Sequence, residues 1–128
     1  MVHEVKKGLY YTKDHEWVHI ENGTGKIGIS HYAAAELGDI AYIELPKLKS
    51  VTQGGKLCEI ESVKAVSDIF SPVSGKITAV NNELMDSPER INEDPYGSWI
   101  ATITLADKGE LENLMTSEKY TQYLSSLK

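Results

Sequence analysis

Glu59-Ile60-Glu61-Ser62-Val63-Lys64-Ala65-Val66-Ser67-Asp68 lies near the middle of the 128-residue sequence and reads as a tight β-hairpin. Leu57 to Ser62 and Val66 to Phe70 have strand character, and only Val63-Lys64-Ala65 separates them. Lys64 therefore stands at the apex. An ammonium there is ordinary, because it is strongly hydrated and costs nothing to expose. On local residues alone an exposed, inert lysine is the favoured reading. The same place also suits a tethered cofactor. The amine is accessible, the flanking strands fix its position, and amide formation would replace the charge by a flexible arm.

Outward from the hairpin, the first ninety or so residues read mainly as strands. Trp17 to Glu21 and Lys26 to Ile29 flank Asn22-Gly23, a pair that tolerates the positive φ angles of a hairpin turn. His31 to Leu37 is predicted as a short helix capped by Ser30 and ended by Gly38, with a strand over Ile40 to Leu45 before Pro46. Pro72 to Gly75 turns the chain into a strand over Lys76 to Val80. Asn81 to Ser98 holds Pro88, Pro95 and Gly97 and is expected to be mostly loop with one helical turn, followed by a strand over Trp99 to Leu105. At the end, Asp107 with Glu110 forms a D-x-x-E capping pattern. Leu111, Leu114 and Met115, then Tyr120, Tyr123, Leu124 and Leu127, fall at helical spacing. The expected division is a β-domain over about 1–105 and a C-terminal helical segment over about 106–128, within one domain over 1–128.

Gly38-Asp39-Ile40-Ala41-Tyr42-Ile43 resembles Gly75-Lys76-Ile77-Thr78-Ala79-Val80, 37 positions later. Each copy runs on through a Pro-containing connection to another apolar strand. Two such units imply a pseudo-twofold sandwich or flattened barrel with Lys64 in the junction.

The composition narrows the function. A net charge of −6 argues against non-specific nucleic-acid binding, which needs clustered cations. Cys58 is the sole cysteine, which excludes an intramolecular disulfide and any CxxC motif, and is read as a small core residue. No apolar stretch approaches a membrane span. The cytoplasm is the expected compartment, and a mature organellar form with its presequence removed would look the same. His15-Glu16-Trp17-Val18-His19 matches the H-E-x-x-H zinc pattern, which requires a helix. Here the segment reads as strand, where the histidines would stand roughly 13 Å apart and could not share an ion. The acidic residues around Asp86, Glu89, Glu93 and Asp94 lack the ligand alternation of a calcium loop. No metal site and no self-contained catalytic centre is expected.

Taken together the fragments become recognisable. Tyr11-Thr12-Lys13-Asp14-His15-Glu16-Trp17-Val18, Ile27-Gly28-Ile29-Ser30, Glu36-Leu37-Gly38-Asp39-Ile40 and Glu44-Leu45-Pro46 come in order. Glu61-Ser62-Val63-Lys64-Ala65-Val66-Ser67-Asp68, Ser71-Pro72-Val73-Ser74-Gly75 and Asn92-Glu93-Asp94-Pro95-Tyr96-Gly97 follow. In this order and spacing the chain resembles the H proteins of glycine cleavage systems over nearly its whole length. The resemblance implies a mainly β fold, a lipoyl/biotinyl-type flattened barrel-sandwich hybrid with short C-terminal helices. It also implies lipoic acid as a covalent cofactor, an N6-lipoyllysine at Lys64. In that family the carrier takes an aminomethyl group from a glycine decarboxylase (P protein) and passes it to an aminomethyltransferase (T protein). A dihydrolipoamide dehydrogenase (L protein) reoxidises the arm, and lipoylating enzymes install it. Such a protein is a carrier and not an enzyme, and a monomer is expected.

The family shelters the loaded arm with polar residues, and the matching positions here are Asp14, Glu16 and Asp68. Their carboxylates would pair with the aminomethyl cation; otherwise they are surface acids. His31, Leu57-Cys58 and Lys47-Leu48-Lys49 depart from the usual family pattern. Three neighbouring readings stay open. A biotinyl carrier would resemble the pattern only with Met on both sides of the lysine, where Val63 and Ala65 stand. A 2-oxoacid dehydrogenase lipoyl domain would resemble it with Asp before the lysine. An H-like donor in a lipoate relay would share the whole pattern.

Overall fold

Asn22 and Gly23 take φ angles of 50° and 76°, the left-handed pair that closes a two-residue hairpin with the twist its strands need. They join β2 (Glu16–Glu21) to β3 (Thr24–Ile29), with Glu21 opposite Thr24 and Glu16 opposite Ile29. The structure, a computed structural model, describes residues 3–127. Its larger sheet runs β1 (Tyr10–Tyr11), β2, β3, β9 (Ala101–Leu105), β8 (Gly75–Val80) and β5 (Ser50–Val51). The smaller sheet runs β4 (Ile40–Glu44), β6 (Lys56–Ser62) and β7 (Val66–Phe70). Neighbouring strands are antiparallel throughout.

Both sheets turn their apolar faces inward. Ile27, Ile77 and Ile103 from the larger sheet and Ile43 and Ile60 from the smaller are fully buried in one cluster. Each such side chain contributes about 1.5–3 kcal/mol when withdrawn from water. The result is a mainly β, two-sheet arrangement of the barrel-sandwich kind, in which neither sheet closes on itself. The repeat is real at the level of backbone geometry. The β4–β6 ladder shifts register between Ile40 and Tyr42, and the β8–β9 ladder shifts between Ile77 and Ala79, the same 37 positions apart. A bulge bends a strand and increases its twist, so each copy curves its own sheet over the shared core.

Helix α1 (His31–Leu37) starts where predicted. The Ser30 hydroxyl accepts from the Ala33 N–H, and Gly38 ends the helix at φ 76°. Ser30 also shares a 2.7 Å hydrogen bond with the Tyr120 hydroxyl. Ser30→Ala is therefore expected to lower the unfolding free energy by about 1–2 kcal/mol, since it removes a cap and a buried partner together. Urea denaturation of the two proteins checks this, and an unchanged midpoint would refute it.

Several elements differ from the sequence expectation. The segment after β8 forms two helical turns, α2 (Glu83–Asp86) and α3 (Arg90–Glu93), where one was expected. Four-residue helices have no stability of their own; the fully buried Leu84 and Ile91 anchor them to the core. Lys108–Asn113 is a 3-10 helix whose N-cap Asp107 accepts from Gly109 N–H. Glu110 does not reach back to the cap. Its carboxylate takes the Ser74 N–H and O–H at 2.7 and 2.6 Å, so the capping-box expectation is corrected. Leu114 and Met115 do not continue a helix either. Tyr11 and Met115 exchange two 2.8 Å backbone hydrogen bonds, because the open edge of β1 offers partners a marginal helix cannot match. β1 and β5 were not anticipated; two-residue strands leave no alternation to read.

Helix α4 (Ser117–Ser126) closes the fold. Its buried Tyr120 stacks on Tyr11 with ring centroids 4.3 Å apart, in a second cluster with Leu9, Trp17 and Tyr96. No helix among the described residues is long and apolar enough to cross a membrane.

Candidate functional site

The β6–β7 hairpin is held at its tip by one serine. Ser62 N–H donates to the Ala65 carbonyl at 2.8 Å, and the buried Ser62 hydroxyl accepts the N–H groups of Lys64 and Ala65, each at 3.2 Å. Val63 N–H donates to the Asp39 carbonyl at 3.0 Å, tying the tip to the end of α1. The backbone N–H groups on both sides of Lys64 are thus bonded without its side chain. That side chain is exposed and lies over Gly38, where a Cβ would sit 3.1 Å from Lys64 Cε. Gly38 serves two ends, the left-handed helix stop and the open bed for the lysine stem. Among the described residues no carboxylate lies within ion-pair distance of Lys64 Nζ.

Asn92 supports this bed from α3. Its Oδ1 accepts from Ile40 N–H at 2.9 Å and its Nδ2 donates to the Gly38 carbonyl at 2.8 Å. One partner is a donor and the other an acceptor, so only one amide orientation satisfies both. Asn92→Asp keeps the first bond and places an acceptor against the Gly38 carbonyl. The expected loss is about 1–2 kcal/mol of stability, read as a lower urea midpoint above pH 6; an unchanged midpoint would remove Asn92 from this role. Asn92 and Ser62 lie within the quoted motifs, and their roles are not legible there. Nothing local distinguishes a positioning amide or hydroxyl from a solvated one.

Around the tip, apolar side chains stand exposed beside Glu61. Val63 is 71% exposed and Val66 58%, and Tyr42, Glu61 and Val66 lie side by side across β4, β6 and β7. The next row of the same sheet is Glu44, Glu59 and Asp68. Asp68 lies on the exposed face of β7, its carboxylate 3.4 Å from Lys56, which also pairs with Glu59 at 2.9 Å.

Asp14 and Glu16 belong to a second region, a cleft of about 250 Å³ that Thr12, Phe70, Asn113 and Met115 also line. Glu16 is only 2% exposed. Thr12 donates its hydroxyl to Glu16 Oε1 at 2.5 Å, and Phe70 N–H donates to Oε2 at 3.1 Å. Burial still pushes the Glu16 carboxyl up to about 7, with the two hydrogen bonds opposing the shift and neighbouring Asp14 adding to it. β7 connects the two regions. Val66 and Phe70 are roughly 13 Å apart along it, at about 3.3 Å per residue. The structure brings Asp14 and Glu16 to one cleft and leaves Asp68 on the strand between that cleft and Lys64.

The remaining motifs resolve as structure. His19 lies exposed on β2 opposite Lys26, while His15, at φ 72°, shares a 2.8 Å hydrogen bond with the Tyr120 hydroxyl. The two histidines and Glu16 are spent in three different environments, and no cluster of three or more metal-ligating residues exists among the described residues. Cys58 is buried, which pushes its thiol up to about 12 and leaves it unreactive.

Comparison with known proteins gives a consistent picture. A family model described as Glycine cleavage H-protein matches residues 9–127. A relative from Pyrococcus horikoshii, described as a probable glycine cleavage system H protein, is 58% identical over 128 residues, covering 98% of this chain and 96% of its own. One from Thermoanaerobacter pseudethanolicus, described as a glycine cleavage system H protein, is 52% identical over 122 residues, covering 94% and 97%. A crystal structure of a glycine cleavage system H protein from Mycobacterium marinum superposes with a TM-score of 0.87 at 34% identity, covering 94% of this chain and 99% of that one.

Proposed function

The chain belongs to the glycine cleavage H-protein family, and from that premise we propose that Lys64 carries the family's lipoyl group as an amide on its Nζ. The protein is a carrier component of the glycine cleavage system and not a catalyst in its own right. The observation that carries the assignment is the exposed Lys64 amine, on a turn whose backbone N–H groups are all bonded without it. An amine in that state can enter the active site of a lipoylating enzyme without unfolding anything. Its acylation removes no ion pair seen among the described residues.

When bound, the lipoyl group supplies a dithiolane that accepts the aminomethyl group of glycine and is afterwards reoxidised. The chain's own residues hold and present. Ser62, Asp39 and Gly38 fix where the lysine stem leaves the surface, so partners meet it in one geometry. Val63, Val66 and Tyr42 give those partners an apolar contact around the stem. Asp14 and Glu16 offer carboxylates to a cationic cargo in their cleft, and Asp68 offers one on the strand leading to it. A cation beside Glu16 favours the ionised carboxylate that burial disfavours, so the pair stabilises both charges and keeps water off the cargo. The partners in this reading are the P, T and L proteins of the system together with the lipoylating enzymes.

Intact-mass analysis of protein from a lipoate-competent host tests the assignment. The expected result is a single lipoyl increment that peptide mapping places on Lys64. Biotin, or a lipoyl group on another lysine, would sink it.

A further inference from the structure

A cavity of about 320 Å³ opens between the N-terminal segment and the β2–β3 hairpin, and Lys6, Lys7, His19 and Lys26 rim it. Trp17, Tyr96, Trp99 and Leu9 form its walls, no carboxylate among the described residues lines it, and Glu21 stands in the adjoining hollow beyond His19 and Lys26. On a chain with a net charge of −6 this is a concentrated patch of the opposite sign. Low-dielectric walls beneath clustered cations focus such a field into the opening.

The rim is built rather than incidental. Tyr11 and Tyr96 donate their hydroxyls to the backbone carbonyls of Lys6 and Glu4, at 2.6 and 2.7 Å, pinning the segment that bears the two lysines. His19 and Lys26 sit directly opposite each other in the β2–β3 ladder. The floor is equally fixed. Trp17 Nε1 donates to the carbonyls of Ile29 and Pro95, at 2.9 and 3.3 Å. Its ring occupies the space over Gly28, where a Cβ would fall 2.5 Å from it. Trp99 is the half-buried wall, with Lys26 Nζ 5.8 Å from its ring centroid. A planar ring can pack against the Trp99 indole beside Lys26, and cations at the rim can take an acidic group attached to the ring.

We propose that this cavity binds a small planar anion, an aromatic ring bearing phosphate or carboxylate groups, as in a nucleoside phosphate. The volume lies at the lower end of the range for small-molecule sites, about 300–1,000 Å³, which fits one ring system with its charged group. The lysines converge on one opening from the N-terminal segment and β3 instead of forming a track, so a compact ligand is favoured over a polymer. The site shares no lining residue with the Glu16 cleft or the Lys64 hairpin, although Trp17 and Glu16 are adjacent on β2, and it stands independently of the lipoyl assignment.

The protein's two tryptophans both line the cavity, so their indole N–H signals in a ¹H–¹⁵N spectrum report on it directly. Titration with adenosine 5′-triphosphate is expected to shift the Trp99 signal saturably, with a Kd of about 0.1–1 mM set by one stacked ring and a few charge contacts. Adenosine alone and inorganic tripolyphosphate alone should each bind about tenfold more weakly or worse, since each lacks half of the recognition. Lys26→Glu and Lys6→Glu should each weaken binding by about tenfold, and Trp99→Ala by a similar factor. These positions are exposed or half-buried, and an unchanged urea midpoint confirms the fold of each variant. Lys64→Arg should bind like the parent. Non-saturable shifts, equal binding of tripolyphosphate and the nucleotide, or indifference to both charge reversals would overturn the proposal.

Discussion

Protein carrying Lys64→Arg is expected to fold like the parent, to leave a lipoylating host without any lipoyl increment, and to lose glycine-dependent exchange with the P protein completely. The fold survives because the side chain is exposed and the turn is held by Ser62 and Asp39, not by Lys64. The arginine stem can lie over Gly38 as the lysine stem does. Function is lost because a guanidinium stays protonated at any working pH and offers no free amine for acylation. Three measurements separate the outcomes: intact mass, the urea midpoint, and exchange of labelled bicarbonate into glycine. Retained exchange with a native midpoint would rule out a tethered arm at this position.

The second large effect is a dependence on pH set by Glu16. Its carboxyl ionises near 7 in the folded protein against an ordinary value of 4.5. Between these values the unfolded chain has released a proton that the native state retains, so the Glu16 contribution to stability falls as pH rises through that window. Below it both states are protonated, and above it both are ionised. The displacement corresponds to at most about 3 kcal/mol. Glu16→Gln removes the titration while keeping the side chain's shape. Its amide oxygen can accept from Phe70 N–H while its NH₂ group donates to the Thr12 hydroxyl. The variant is expected to gain about 1–3 kcal/mol relative to the parent on going from pH 4.5 to pH 8. Urea unfolding of both proteins across this range gives the difference directly, free of the other carboxylates they share. Parallel profiles would mean that the buried carboxylate costs the fold nothing. In the proposed carrier the cost has a use, since a cationic cargo in the cleft would relieve it.

The long alternating strands and their turns were legible because each carries its own reason. Asn22-Gly23 closes its hairpin by backbone preference, Ser30 caps α1 with its own hydroxyl, and β7 occupies the predicted residues. The elements that differ from expectation share a cause as well. α2, α3 and the Tyr11–Met115 bridge are too short to be stable alone and exist because distant residues bury or pair them. Glu110 looked like a cap and instead holds Ser74, 36 positions away in sequence.

At the site the same division holds. The amino-acid sequence by itself determined that a lysine stands at the apex of a two-strand hairpin, that the H-E-x-x-H segment reads as strand, and which family its motifs resemble. Turn preference, alternation and composition are local properties, so they can be read along the chain. Only the tertiary structure decided what surrounds Lys64. It set the Gly38 bed and its Asn92 support, buried Glu16 against Phe70 from another sheet, and left Asp68 outside that cleft. It also gathered Lys6, Lys7, Lys26 and Trp99 around one opening, though 93 positions separate the first from the last. Desolvation and hydrogen bonding depend on which residues meet in space. Those meetings follow from sheet packing, which no short stretch of sequence contains.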